Sequence, residues 1–184
     1  TNAGFETGNF TSWSTYGNAT IQPNLPRTGT YHAKLAGQTN LPINYNGIYQ
    51  DLATPAQAFW SLNAWIASPT NEPLTGENFL EAKIEYFDEN FINIQTDIAP
   101  LITNGILTPG QYRQISVSSY APLGATRIRA TLNYVQTNNA TGTILLDDIA
   151  LSRTTLPSEI GCQAFLPSFA CTRFMFSGPM RSSC

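Results

Sequence analysis

A chain of 184 residues with 11% charged side chains and a formal net charge of -3 has room for one core that buries roughly two thirds of its unfolded surface. Its nine basic residues stand singly, so no field is built that would hold a phosphate backbone, and nucleic acid is excluded as a partner. No apolar run reaches the roughly 20 residues of a membrane span, and no charged-then-apolar leader opens the chain at Thr1, so the sequence reads as a mature or excised domain without a membrane partner.

The first stretch, "TNAGFETGNFTSW", is dense in turn formers and sets one carboxylate, Glu6, between Phe5 and a Thr-Gly turn, with Trp13 assigned to the core. From about residue 19 to 152 apolar residues recur with a period of two, in short runs cut by Gly, Pro and Asn. The predicted strands are Ala19 to Gln22, Tyr31 to Ala36, Gly47 to Leu52, Phe59 to Ala67, Glu81 to Phe87, Gln111 to Ser118, Thr126 to Val135 and Gly142 to Leu151. Helix signals are nearly absent, and eight such strands predict an all-β fold, a two-sheet antiparallel β-sandwich of the jelly-roll kind. The segment from Ser68 to Asn78 reads as a surface loop, and Asp88 to Asn93 as a hairpin turn.

After Ser152 the alternation stops. The domain organisation read from this is a sandwich over residues 1–152 and a separate tail over 153–184, rich in Phe and Cys. Cys162, Cys171 and Cys184 all fall in that tail, so the sandwich folds without a disulfide. Low charge, abundant Asn and Thr, and Asn-x-Thr sequons at Asn9, Asn18 and Asn139 suit a secreted or cell-surface protein.

The signals occur in a definite order: "NAGFETGNFTSW", "RTGTYHAKL", "GIYQDL", "FWSLNAWIA", "YAPLGATRIRATL" and "GTILLDDIAL". Together, over about residues 2 to 152, they resemble the jelly-roll carbohydrate-binding modules of the group that includes families 4, 9, 16 and 22. The resemblance implies noncovalent polysaccharide binding on a concave sheet, in an accessory module tethered to a catalytic domain or surface protein. It also implies a structural calcium ion held by Glu6 and Asp147, with Asp148 as the second-choice carboxylate and carbonyls from Thr28 to Lys34 completing the shell. The physical logic agrees, because calcium takes six to eight oxygens, and a metal joining Glu6 to Asp147 would pin the start of the chain to its end.

Neutral glycans are held by aromatic rings against sugar C–H faces, with amides and charged groups on the hydroxyls. Strand alternation sets Asn63 and Trp65 opposite Leu62 and Ala64, and Arg129 and Asn133 opposite Ile128 and Leu132. With Glu85 these form the candidate face. Tyr49 and Gln50 are further candidates, one of which must face the core, and Tyr45 is expected on a rim loop. Burial beneath a loop or beneath the tail is the alternative for Trp65, and a cross-strand bridge with Glu85 the alternative for Arg129.

An enzyme is not expected. The lone histidine, His32, lies in the strand placed beside the calcium segment, whereas a jelly-roll polysaccharide lyase would need a Tyr/His pair on the concave face. No zinc spacing, nucleophile elbow or phosphate loop occurs, and the carboxylates from Glu72 to Glu89 cluster at a loop and a hairpin. The remaining alternative is a structural or adhesive spacer, marked by a face without exposed aromatic rings.

Overall fold

The computed structural model describes residues 2–38 and 41–154. They form two antiparallel sheets packed as a β-sandwich, with no helix among the described residues. One sheet, here sheet A, has the order β1-β4-β10-β6-β7, from Ser14–Tyr16, Ile43–Ala53, Arg127–Thr137, Phe79–Phe87 and Asn93–Ile98, with the short β8, Ile102–Thr103, also on β6. Sheet B has the order β2-β3-β11-β5-β9, from Ala19–Gln22, His32–Ala36, Thr143–Thr154, Phe59–Ala67 and Arg113–Tyr120.

The apolar half of each alternation faces inward. Ile128, Ala130 and Leu132 of β10, Leu80 and Ile84 of β6, and Ile48 of β4 meet Leu62, Ala64 and Ile66 of β5, with Leu35 of β3 and Ile144 and Leu146 of β11. Trp13 packs on Phe5 with ring centroids 6.1 Å apart and donates its indole N–H to the Asn2 carbonyl, so the N-terminal stretch caps the core rather than the solvent face. The Ser68 to Asn78 stretch carries no strand, and the turn between β6 and β7 is tied by Asp88, whose Oδ1 accepts the N–H groups of Asn90 and Ile92.

Three strands lie outside the predicted eight. β1 and β8 are too short to show a period, and β7 is phased inversely to the rule. Ile94 and Ile98 of β7 are exposed, while Gln95 and Asp97 turn inward to bond with Ser119 of β9. The last strand runs to Thr154, past its predicted end at Leu151 and past the predicted domain boundary at residue 152. The expectations for the tail, its three cysteines included, fall outside the described residues.

His32 is 1% exposed in β3, and its Nδ1 has no hydrogen-bond partner among the described residues. Burial, and behind it the Lys34 charge, push its pKa below the ordinary 6.5. The unfolded chain then takes up a proton below pH 6.5 that the folded chain refuses, so stability is lost as pH falls from 6.5 towards the lowered value. The melting midpoint is expected to drop over that window, and His32→Gln is expected to flatten the drop, as thermal melts across the pH series will record.

Candidate functional site

Two acidic and aromatic clusters stand out, one on each sheet. The first joins the N-terminal stretch to β11, the last strand of the sandwich. The Ile149 N–H bonds the Ala3 carbonyl, and β11 bulges between Asp147 and Ala150. Phe5 and Asp148, both beside the acids, hold left-handed backbone with φ of 58° and 46°, a conformation that costs a non-glycine residue free energy and persists where its surroundings impose it.

Asp147 is 0% exposed. Its Oδ2 accepts the backbone N–H groups of Arg27 and Thr28, and its Oδ1 that of Asp148. Burial raises its pKa, an effect that these three N–H groups only partly offset. Asp148 pairs with the Arg27 guanidinium at 2.6 Å. Glu6 accepts from the N–H groups of Thr30 and Tyr31, and a Cβ added at Gly29, φ +66°, would meet its carboxylate at 2.4 Å. The 27–31 segment is therefore a strap laced by its amides to acids from both ends of the sandwich.

The donor chemistry suits a hard cation. An Oδ1 of Asp147 and one of Asp148 each lie 3.4 Å from the Cβ position of Gly4, whereas Glu6 comes nearest there with its Cγ methylene at 3.8 Å and turns its carboxylate to the Thr30 and Tyr31 amides. The nearby Tyr112 phenol is pushed up by burial and then by the charges of Asp147 and Asp148. Among the described residues, however, no three His, Cys, Asp or Glu side chains are grouped to hold a metal ion. A calcium ion here would have to draw much of its shell from carbonyls and water.

The second cluster lies on the outward face of sheet A. Arg129 stands in register between Asp51 of β4 and Glu85 of β6, and Thr131 between Tyr49 and Lys83. Tyr16 of β1 lies over Gly47, where an added Cβ would come 2.4 Å from its hydroxyl. Only glycine at that position lets the ring approach the sheet so closely. The Tyr16 and Tyr49 centroids are 6.4 Å apart, and Tyr16, Tyr49, Lys83, Glu85, Arg129 and Thr131 bound an open depression of about 290 Å3.

This arrangement divides the single face expected from alternation. Glu85, Arg129, Asn133 and Tyr49 belong to sheet A, but Asn63 and Trp65 lie on β5 in sheet B and cannot share a surface with them. Trp65 has its ring covered by the Arg27 guanidinium, 3.7 Å from the centroid. Asn133 is 5% exposed, because it accepts from the Tyr16 hydroxyl and donates to Glu81 beneath that ring. Between Tyr49 and Gln50, Tyr49 faces outward, whereas Gln50 shares the side of Ile48 and donates to the Ser12 carbonyl.

Arg129 bonds Asp51 rather than Glu85, through Nε to Oδ1 at 2.7 Å and Nη2 to Oδ2 at 2.9 Å. Tyr45 sits on β4, not on a loop, and is 58% exposed. Tyr16, Asp51, Lys83 and Thr131 were missed. Alternation beside Arg129 and Glu85 carried the signal for Thr131 and Lys83, but three residues of β1 carried none for Tyr16.

Two larger depressions lie elsewhere. One of about 510 Å3 beside Lys34 and Glu72 has no aromatic residue in its wall. Another of about 560 Å3 beside Asp97 and Ser119 has only Tyr120, whose ring centroid is 4.7 Å from that of Phe59. The sheet A face is the one that combines a tyrosine pair with several hydrogen-bonding groups.

No family model matches the chain, and no curated protein sequence matches it. Solved structures do. The module TmCBM61 in complex with β-1,4-galactotriose shares 16% identity at a TM-score of 0.57, over 83% of this chain and 96% of that one. A CBM22 xylan-binding domain from Paenibacillus barcinonensis shares 16% at 0.56, over 82% and 91%. The enzymatically active domain of bacteriophage CBA120 tailspike protein 4 shares 14% at 0.61, over 84% of this chain but only 21% of its own. At these identities the fold is what is shared: the chain has the two-sheet β-sandwich fold of jelly-roll carbohydrate-binding modules.

Proposed function

We propose that the sandwich binds a polysaccharide noncovalently on the outward face of sheet A, as an accessory module of a secreted glycan-active or surface protein. The observation that carries this reading is the Tyr16–Tyr49 pair, 6.4 Å apart, above a row of hydrogen-bonding groups from Lys83, Glu85, Arg129 and Thr131. Tyrosine supplies a flat apolar surface for sugar C–H groups, and the row supplies donors and acceptors for hydroxyls. The fold neighbours support the reading in kind. Their descriptions include a galactotriose complex, a xylan-binding domain, and a Clostridium thermocellum xylanase CBM22-1-GH10 structure with xylohexaose, of which this chain spans 28%.

A non-catalytic role is favoured by the position of His32. It lies buried on β3 in sheet B, away from Tyr16 and Tyr49 on sheet A, so the Tyr/His pair of a lyase is not assembled on this face. A spacer without glycan binding is less well supported, since the face does carry tyrosine rings. Calcium, in this reading, is held by Asp147 and Glu6 with Asp148 nearby, and supplies countercharge to a buried carboxylate.

A shallow face of this size predicts weak binding, on the order of micromolar to millimolar per site, made useful by tethering. The test is titration of the labelled protein with xylohexaose, cellohexaose and galactotriose, read as amide chemical shifts. Perturbations centred on Tyr16, Tyr49 and Thr131 are expected. Perturbations centred on sheet B, or none with any of the three, would overturn the assignment.

A further inference from the structure

The charges around the tyrosine pair are not all paired. Arg129 is held by both oxygens of Asp51, a bidentate pair of the strong, charge-assisted kind. The Lys83 ammonium is 3.5 Å from Glu81. Glu85 is left over: it accepts a hydrogen bond from the Thr131 hydroxyl and makes no ion pair among the described residues. Around the two rings, two cations, Arg129 and Lys83, thus stand with three carboxylates, Asp51, Glu81 and Glu85, while the third cation of this face, Arg127, lies over the Phe91 ring at 4.1 Å, outside the depression.

The strand beside Glu85 adds no charge to this face. On β7, Thr96 stands beside Glu85 and Ile98 beside Lys83, and both are uncharged. Tyr16 and Tyr49 close the other side of the depression. The Tyr16 phenol is pushed up by burial and next by the charges of Glu85 and Glu81, with Arg129 only partly opposing them. A ligand on the two rings therefore meets Glu85 in the wall of the depression as a carboxylate without an ion-pair partner among the described residues.

Resting on the reading of this face as a glycan site, the geometry points to Glu85 as a charge filter that admits sugars that are neutral or carry a protonated amine and turns away sugars that carry a carboxylate. A uronate beside Glu85 would place like charges together in a partly desolvated site, which is an effective way to reject a ligand. Arg129 would attract it less than a free guanidinium, because the Asp51 carboxylate already neutralises that charge. A glucosamine ammonium would instead donate a charge-assisted hydrogen bond to Glu85.

The test uses hexamers on one backbone, β-1,4-linked glucose, glucosamine and glucuronate, with xylohexaose as a second neutral ligand. All are titrated against the full chain and its Glu85→Gln variant at about pH 6, where uronates are ionised, with thermal melts to establish that the variant is folded. The wild type is expected to bind glucosamine hexamer at least as well as the neutral hexamers, and glucuronate about tenfold more weakly or worse. Whatever Glu85→Gln does to neutral binding, the ratios between charged and neutral ligands should shrink towards one, and about 0.5 M salt should shrink them in the wild type. Equal binding of glucuronate and glucose hexamers, or a ratio unchanged in Glu85→Gln, overturns the filter. If the neutral hexamers still shift Tyr16 and Tyr49 in that case, the glycan face stands without it; if no hexamer shifts them, both fall.

Discussion

Asp147→Ala is expected to lower the melting midpoint by roughly 6 to 12 °C, the largest stability effect of any substitution in the acidic cluster. Three backbone N–H groups, from Arg27, Thr28 and Asp148, lose their acceptor. At about 1 kcal/mol for each hydrogen bond the loss is about 3 kcal/mol, and for a sandwich of this size each kcal/mol moves the midpoint by about 2 to 4 °C. Removing the carboxylate also relieves the cost of burying it, which opposes the loss. That relief is smallest when a cation neutralises the charge, so the destabilisation should be greater with calcium than with chelator. If calcium binds here at about 100 times its dissociation constant, it adds about 2.7 kcal/mol to the wild type and little to Asp147→Ala or Glu6→Ala. Melts of the three proteins with calcium and with chelator decide the matter. A wild-type midpoint indifferent to calcium removes the metal, whereas an Asp147→Ala midpoint within about 2 °C of wild type would show that the strap does not depend on this acceptor.

Both clusters were partly legible in the sequence, and the limits of that legibility are physical. Alternation gives the side of a strand but not its sheet. Asn63 and Trp65 therefore read like Arg129 and Asn133, although β5 and β10 belong to different sheets. Pairing comes from long-range register, such as Asp147 against Trp65 and Arg129 against Asp51, which no local pattern encodes. Alternation also says nothing about what covers an outward residue. Arg27 closes over Trp65 from a loop, and Tyr16 closes over Asn133 from a three-residue strand. β7 failed for another reason, because a polar pair on its inner side and isoleucines on its outer side invert the usual phase of an edge strand. Glu6 and Asp147 were easier to pick out, since each is an acid inside a distinctive short motif. Their common dependence on the strap amides needed the folded chain.

Tyr49→Ala is expected to weaken glycan binding about thirtyfold, the loss that follows when an aromatic anchor contributing about 2 kcal/mol is truncated. Tyr49 holds the centre of the proposed face. Its ring is 6.4 Å from Tyr16 and 4.2 Å from the Arg129 guanidinium, measured to its centroid. Tyr49→Phe keeps the ring and should retain most of the affinity, so the pair of variants separates ring surface from the hydroxyl. Trp65→Ala supplies the contrast. Its ring lies on the opposite sheet beneath Arg27, and its truncation should leave affinity for xylohexaose or cellohexaose within about twofold while removing a cation–π contact of roughly 0.5 to 2 kcal/mol from the strap. Affinity lost in Trp65→Ala and kept in Tyr49→Ala, with both proteins folded by thermal melt, would move the glycan to sheet B and give Arg27 the part of a lid that must lift before a sugar can stack.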